Sequence, residues 1–358
     1  MTFLLLVIGF ALLVLGGEWL VRGAAALAAA ANISPLVIGL TVVAFGTSAP
    51  ELGVSLQAAY AGNAGVAVGN VVGSNIINVL LVLGVSAVVT PLVVAAGLIR
   101  RDLPWMVVAS IVTWAMAWDG TVARWEGLVL FGALLVYLVR SIQSGRGNLD
   151  DLPEEIGEIA QTRIGKRFLA VNVGFFLSGL VSLAIGSRLL VGSAVEIATS
   201  LGVSELVVGL TVVAIGTSLP EVVTSVVASM RGQRDIAVGN VVGSNLFNLL
   251  CVLGLTAAVA PDGVPVERSA VTFDLPVMVA VALVAVPLMW TGGMIRRWEG
   301  VVFLVYLVLY NVVLVSRAIA SPHSGALAWL AVVIVGVTLV PIVRSMLVNR
   351  PPPAPSEP

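Results

Sequence analysis

Long apolar runs separated by short polar segments make up almost the whole chain. Most runs reach about 20 residues, which is enough for a helix to cross the hydrocarbon core of a bilayer. We therefore predict an all-α, polytopic membrane protein with about eleven spans. The predicted spans are 3–23, 36–60, 65–89, 103–118, 125–141, 168–198, 206–230, 236–260, 272–291, 298–316 and 325–347.

Composition supports this class. Of the 358 residues, 59% are hydrophobic and only 10% are charged, too few charges to cover a soluble protein of this length. The charges that do occur concentrate in a segment at 142–167, which we interpret as a solvated linker. The proline-rich end at 348–358 predicts a disordered tail. The single cysteine, Cys251, excludes disulfides within the chain.

The chain contains a duplication. Shifting the sequence by 170 positions aligns residues 34–84 with 204–254, and 31 of the 51 positions are identical. Two shorter motifs, Arg124-Trp-Glu-Gly127 and Asp102-Leu-Pro104, also recur in the second half. The repeated unit thus has five spans, and an odd number makes the second copy enter the membrane inverted. The predicted parts are 1–141 (first repeat), 142–167 (linker), 168–317 (second repeat), 325–347 (extra span) and 348–358 (tail).

Basic residues indicate the orientation, because short cytoplasmic loops are enriched in them. One predicted side holds most of the arginines, and the other holds only Arg124, Arg268 and Arg317. We expect the rich side to be cytoplasmic in a cell (inner) membrane. The N-terminus would then lie outside, with the linker and the C-terminus inside.

The duplicated stretch carries the candidate chemistry. Pro50 interrupts helical hydrogen bonding and loosens nearby carbonyls. Ala44, Ser48 and Glu51 share one helical face with Thr47 beside it, so hydroxyl, carboxylate and carbonyl oxygens gather there. These are the hard ligands that Na⁺ and Ca²⁺ prefer. The second copy repeats the set as Ala214, Thr217, Ser218 and Glu221.

A second motif adds serine and asparagine oxygens at Ser74, Asn78, Ser244 and Asn248. Two intramembrane carboxylates at equivalent repeat positions indicate an ion pathway, because such groups are costly in lipid. Helix–helix hydrogen bonding is the alternative role for the serines and asparagines. Near the end of the first span, Glu18 and Arg22 are spaced to pair with each other.

These motifs resemble the α-repeats of the sodium/calcium exchanger branch, bacterial or archaeal type, of the cation/Ca²⁺ exchanger superfamily. The resemblance implies a ten-helix inverted-repeat core and alternating access by sliding of the first helix of each repeat. It implies that Glu51 and Glu221 are central ligands shared by Ca²⁺ and Na⁺. Thr47, Ser48, Thr217, Ser218, Ala44 and Ala214 would add hydroxyl or carbonyl oxygens. Ser74 and Ser244 would complete outer Na⁺ sites, and Asn78 and Asn248 the middle of the cage.

Asn248 departs from members that carry Asp there, and Glu221 departs from potassium-dependent relatives, which disfavours K⁺ co-transport. We expect an antiporter that moves Ca²⁺ out against Na⁺, functioning as a monomer without cofactor, enzymatic activity or nucleic-acid partner. A Ca²⁺/H⁺ (or other divalent cation/H⁺) antiporter on the same fold is one alternative, and a passive cation channel is another. An intramembrane serine protease is disfavoured, because the one histidine, His323, falls in a predicted loop.

Overall fold

The computed structural model describes residues 1–63, 65–145, 165–202, 208, 211–212 and 214–348. Helices account for nearly all of the described chain. In order they are α1 (Thr2–Ala31), α2 (Pro35–Thr47), α3 (Ala49–Tyr60), α4 (Gly65–Val89), α5 (Leu103–Met116), α6 (Arg124–Ser144), α7 (Lys166–Ser200), α8 (Ala214–Thr217), α9 (Leu219–Met230), α10 (Arg234–Val259), α11 (Leu275–Trp290), α12 (Arg297–Ala318) and α13 (Ser324–Val348).

Within the described residues, eight helical stretches are long and apolar enough to cross a membrane, and the bent pair α2–α3 would make a ninth. The chain is therefore a polytopic helical membrane protein, as predicted. Many large apolar side chains on the outer helices are exposed, which suits a surface that faces lipid rather than water.

Five π-helical segments, in which the hydrogen bonds span one residue more than in an α-helix, lie within helices or directly before them in the described chain. They occur at Gly39–Val43, Asn78–Leu83, Leu98–Asp102, Phe247–Leu253 and Ala270–Asp274. Such segments are rare and frequently mark functional sites. The segments in α4 and α10 occupy the equivalent part of each sequence copy.

Two short strand pairs connect the halves of the chain. Leu92–Val93 (β1) pairs antiparallel with Met294–Ile295 (β4), and Thr121–Val122 (β2) pairs antiparallel with Val264–Pro265 (β3). Each pair thus joins a loop of the first half to a loop of the second. Two-residue strands leave no periodic pattern in the sequence, so these pairs could not be predicted from it.

The longest helices, α1 and α7, pack against each other through glycines. A Cβ atom built on Gly9 would lie 2.9 Å from the carbonyl oxygen of Gly186, and one on Gly16 would lie 3.0 Å from that of Gly179. Glycine permits such close approach of helix backbones. The pairing of early with late residues shows that the helices run antiparallel. The 170-residue shift relates Gly9 to Gly179 and Gly16 to Gly186, so each glycine contacts the equivalent of the other one, as two antiparallel copies of one helix would do.

The recurring Arg-Trp-Glu-Gly motif begins α6. The backbone N–H of Ala123 donates to Oε2 of Glu126 (2.8 Å), which caps the helix, and a Cβ on Gly127 would lie 2.5 Å from the carbonyl oxygen of Gly254 in α10. The copy that begins α12 repeats both contacts through Arg296, Glu299, Gly300 and Gly84. The duplicated motif is therefore a device for capping and close packing between the halves.

Two boundaries differ from the sequence-based expectation. The first span, expected at 3–23, extends to Ala31 because the alanine-rich sequence continues the helix, and it ends where Asn32 adopts a left-handed conformation (φ 55°). The expected linker at 142–167 is shorter, because α6 reaches Ser144 and α7 begins at Lys166. The remainder of the linker and the tail lie outside the described residues.

The expected pairing of Glu18 with Arg22 is wrong. Glu18 Oε1 instead forms an ion pair with Nη2 of Arg231 (2.8 Å), at the end of α9. The reason is packing, since a Cβ on Gly17 would meet Val223 of α9 at 2.9 Å, which brings the two helices together. The guanidinium of Arg22 lies 4.5 Å from the centre of the Phe175 ring.

Candidate cation site

Proline bends the helix that carries each candidate carboxylate. Pro50 lies in the first turn of α3, and α2 and α3 meet at an angle of 42° across Ser48. Glu51 follows directly, at the start of α3. In the second copy, Pro220 and Glu221 occupy the same places in α9. Both carboxylates therefore extend from the broken point of a membrane helix, where the regular backbone hydrogen bonding is interrupted.

The two carboxylates are buried without partners. The side chains of Glu51 and Glu221 are 1% and 0% exposed, and none of their carboxylate oxygens has a hydrogen bond among the described residues. An ionised carboxylate buried alone costs several kcal/mol, roughly, even after relaxation. The pair therefore requires a cation or a proton as its partner.

Two serine hydroxyls accompany these carboxylates. Ser48 and Ser218 are 2% and 0% exposed, and neither Oγ atom has a hydrogen-bond partner among the described residues. Buried polar atoms are normally satisfied, so these oxygens are available to a bound cation. Both belong to the set expected from the sequence.

Thr47 and Thr217 differ in their surroundings. Thr47 is buried, and its Oγ1 lies 3.1 Å from Oδ1 of Asn240, 3.2 Å from Oγ of Ser244 and 3.3 Å from the carbonyl oxygen of Ala44. Its hydroxyl thus ties α2 to α10 of the other half. Thr217 is only partly buried.

The carbonyl oxygen of Ala44 also accepts the backbone N–H of Ser48 (3.0 Å). It is therefore engaged within its own helix rather than freed by the proline. Ala214 is the first residue of α8, and its side chain lies outside the described part of the chain.

The asparagine and serine positions of the second motif are all buried. Asn78 is 0% exposed and both of its amide atoms lack a partner in the described structure. Asn248 is equally buried; its Nδ2 donates to Oδ1 of Asn75 (3.3 Å), and its own Oδ1 is without a described partner. Ser74 is 3% exposed, and Ser244 pairs with Thr47.

Packing between the halves brings these groups together. Helix α3, which carries Glu51, packs against the π-helical segment that contains Asn248. Helix α9, which carries Glu221, packs against the π-helical segment that begins at Asn78. Each carboxylate-bearing helix therefore packs against the π-helical segment that carries the candidate asparagine of the other sequence copy.

Sequence reasoning missed a pair of supporting hydrogen bonds. Nδ2 of Asn70 donates to Oγ of Ser55 (3.0 Å) and to the carbonyl oxygen of Glu51 (3.2 Å). In the second copy, Nδ2 of Asn240 donates to Oγ of Ser225 (3.0 Å). The 170-residue shift relates Ser55 to Ser225 and Asn70 to Asn240. Applying this shift to every polar residue would therefore have identified both hydrogen-bonded pairs.

The described residues contain no group of three or more histidine, cysteine, aspartate or glutamate side chains placed to hold a metal. Around the two carboxylates, the described oxygens without a partner belong to neutral side chains such as Ser48, Ser218 and Asn78.

Comparison with known protein families shows which family the chain belongs to. The family described as sodium/calcium exchanger protein matches residues 1–143 and 171–316, which include both copies of the site. The chain belongs to the sodium/calcium exchanger protein family. It is accordingly a membrane transporter of the cation/Ca²⁺ antiporter type.

Individual relatives agree with this placement. The chain is 37% identical over 293 residues to the inner membrane protein YrbG of Escherichia coli, covering 80% of this chain and 88% of that protein. It is 32% identical to the sodium/calcium exchanger MaX1 of Methanosarcina acetivorans, covering 88% and 98%.

Among solved structures, the sodium-calcium exchanger NCX_Mj soaked with zero Na⁺ and Ca²⁺ superimposes with a TM-score of 0.73 at 29% identity. The match covers 88% of this chain and 98% of NCX_Mj. The resemblance noted in the sequence is therefore confirmed at the level of the family.

Proposed function

We propose that this member of the sodium/calcium exchanger protein family exchanges Na⁺ for Ca²⁺ and drives Ca²⁺ efflux. The observation that carries the proposal is the pair of buried, unpartnered carboxylates of Glu51 and Glu221, accompanied by the unpartnered hydroxyls of Ser48 and Ser218. The set combines two negative charges with neutral oxygens, which can neutralise one divalent ion or two monovalent ions.

Competition for the carboxylates gives the exchange mechanism. Ca²⁺ and Na⁺ both need Glu51 and Glu221, so binding of one displaces the other. With no cation, two buried like charges would face each other in a low-dielectric interior, which disfavours the empty cage in transit. Only a transporter with an occupied cage would then switch its access from one side of the membrane to the other. Transport of one ion in one direction therefore requires transport of the other ion in the opposite direction.

We further propose that the transporter has eleven spans, of which ten form an inverted repeat. Support comes from the antiparallel contact between α1 and α7 at glycines related by the 170-residue shift. Equivalent helices that run in opposite directions are the property expected of inverted repeats. We place the arginine-rich side, with the linker and C-terminus, in the cytoplasm.

Helices α2 and α10 pack closely on the side that we assign to the linker. Cβ atoms built on Gly239 and Gly243 of α10 would lie 2.9 Å from the carbonyl oxygen of Leu36 and 2.6 Å from that of Leu40.

The test is ⁴⁵Ca²⁺ uptake into proteoliposomes loaded with Na⁺, compared with vesicles loaded with K⁺ or carrying a pH gradient. Uptake should require internal Na⁺ and fall to the level of empty vesicles in Glu51→Gln and Glu221→Gln. Glu196→Gln is the matched control, because Glu196 is exposed near the end of α7, and it should transport normally.

Uptake driven by a proton gradient but not by Na⁺ would overturn the coupling ion and favour the Ca²⁺/H⁺ alternative. Uptake that saturates but needs no counter-ion would favour a passive pathway. Undiminished transport by both glutamine variants would refute the assignment of the site itself.

A further inference from the structure

Four asparagines lie where the π-helical segments of α4 and α10 begin. Asn75 and Asn78 stand one turn apart in α4, and Asn245 and Asn248 stand one turn apart in α10. All four are at most 2% exposed. Asn78 and Asn248 belong to the expected cage, whereas Asn75 and Asn245 have no assigned role. Buried amides need partners, so the hydrogen bonds of the second pair show what that pair does.

A chain of hydrogen bonds ends at Asn248. Nδ2 of Asn75 donates to Sδ of Met278 (3.7 Å), and Oδ1 of Asn75 accepts Nδ2 of Asn248 (3.3 Å). Both arms of the Asn75 amide are thereby used. On Asn248 only the nitrogen is used, since its Oδ1 has no partner among the described residues.

The orientation of this amide decides what Asn248 can offer to a cation. The oxygen and the nitrogen occupy opposite arms of one planar group, and the oxygen is the ligand whereas the N–H groups are donors. A half-turn of the group would replace an attractive oxygen by two repelling hydrogens. A residue that holds the nitrogen therefore keeps the oxygen available.

We propose that Asn75 is a positioning residue for the cation cage, which holds the amide nitrogen of Asn248 so that the amide oxygen is presented to the cation. This inference rests on the proposed function, in which Asn248 is a neutral ligand. Met278 supports it by accepting the other arm of the Asn75 amide. Partners that orient ligands in this way typically change metal affinity about 10- to 100-fold when removed.

The second copy lacks the equivalent bond in this conformation. Nδ2 of Asn245 donates to Sδ of Met106 (3.4 Å) and to the carbonyl oxygen of Asn75 (3.4 Å). Its Oδ1 has no described partner, and neither amide atom of Asn78 has one. Asn245 is thus as buried as Asn75 and contacts the equivalent methionine, but it holds no cage amide. It is a matched control.

The test measures Ca²⁺ affinity by ⁴⁵Ca²⁺ scintillation proximity on the purified full-length transporter, with no gradient present. Asn75→Leu should weaken Ca²⁺ binding about 10- to 100-fold. The same change in an Asn248→Asp background should have less than about a 3-fold effect, because either oxygen of a carboxylate can face the cation and no orientation is needed.

Asn245→Leu provides the comparison for general loss of packing. Unlike Asn75→Leu, it leaves the bond between Asn75 and Asn248 in place, so most of its effect on affinity should remain in the Asn248→Asp background. Met278→Leu is a conservative second variant that should fold even if Asn75→Leu does not. It should weaken binding in the same direction by a smaller factor, and Asn248→Asp should again abolish the effect.

The outcomes separate this inference from the proposed function. If the unmodified transporter does not bind Ca²⁺, the proposed function fails. If it binds Ca²⁺ and neither Asn75→Leu nor Met278→Leu changes the affinity, or if their effects persist in the Asn248→Asp background, the positioning role is refuted. A proton-coupled transporter that binds Ca²⁺ with the expected variant pattern would leave the positioning role in place.

Discussion

The glycine contact between α1 and α7 brings the backbones of two long helices close together, and it predicts the result of a single methyl addition. A Cβ atom on Gly179 would lie 2.6 Å from the backbone nitrogen of Leu20, 2.8 Å from its Cβ and 2.8 Å from the carbonyl oxygen of Gly16. On the same helix, Gly174 is exposed, and no described atom lies within 4 Å of its Cβ position. Gly179→Ala and Gly174→Ala thus add the same atom in opposite surroundings.

Two contributions determine how much Gly179→Ala changes the stability of the protein. Favourable carbon contacts begin near 3.5 Å, so the helices would have to separate by about 0.7 Å to admit the methyl group on Gly179. Overpacking of this kind costs about 1–3 kcal/mol. Replacing glycine by alanine inside a helix contributes about 1 kcal/mol of stabilisation, and it does so equally at both positions. The difference between the two variants therefore isolates the packing cost.

The assay heats the detergent-purified transporter and follows its monodisperse peak on size-exclusion chromatography. The measured quantity is the temperature at which this peak falls to half its height. Gly174→Ala should match or exceed the unmodified protein, and Gly179→Ala should fall below Gly174→Ala by an amount that corresponds to about 1–3 kcal/mol. Equal temperatures for the two variants would show that the helices are not in backbone contact at this point, which would refute the reasoning.

Two further predictions concern polar contacts outside the cage. Tyr137→Phe removes the hydroxyl that donates to Oδ1 of the buried Asp102 (3.1 Å), so thermal stability should fall by the equivalent of about 1–3 kcal/mol; an unchanged melting temperature would contradict this. Arg231→Gln removes the ion pair with Glu18, whose side chains are 45% and 44% exposed, so stability should change by less than about 1 kcal/mol. If Arg231→Gln and Glu18→Gln each lower the stability by clearly more than this, the ion pair is more important than its exposure indicates.

The location of the carboxylates could be predicted from sequence, because the reasoning depended only on local chemistry. A glutamate directly after a proline in an apolar run is expected at a break in a helix. Glu51 and Glu221 both lie in the first turn of a helix that follows such a break, and both are buried. Duplication made the inference stronger, since the two copies are independent instances of the same costly arrangement.

Contacts between the halves could not be predicted in the same way. Spacing along one helix suggested that Glu18 pairs with Arg22, but tertiary packing supplies Arg231 from a distant part of the chain. The hydroxyl of Thr47 was expected to be a ligand, and it also bonds to Asn240 and Ser244 in the other half. Helical periodicity identifies which residues share a face, but it contains no information on which helix that face meets.

The antiparallel contact of α1 with α7 also has a consequence for biogenesis. Helix α1 ends at Ala31 and its partner begins at Lys166, so more than a hundred residues must be synthesised before the contact can form. At about 5–20 residues per second this takes on the order of 10–30 s. During that time α1 lacks its final neighbour at this glycine face, which permits close approach of another helix. The cage, which also needs Asn248 of the second half, therefore cannot assemble until long after the first half has been synthesised.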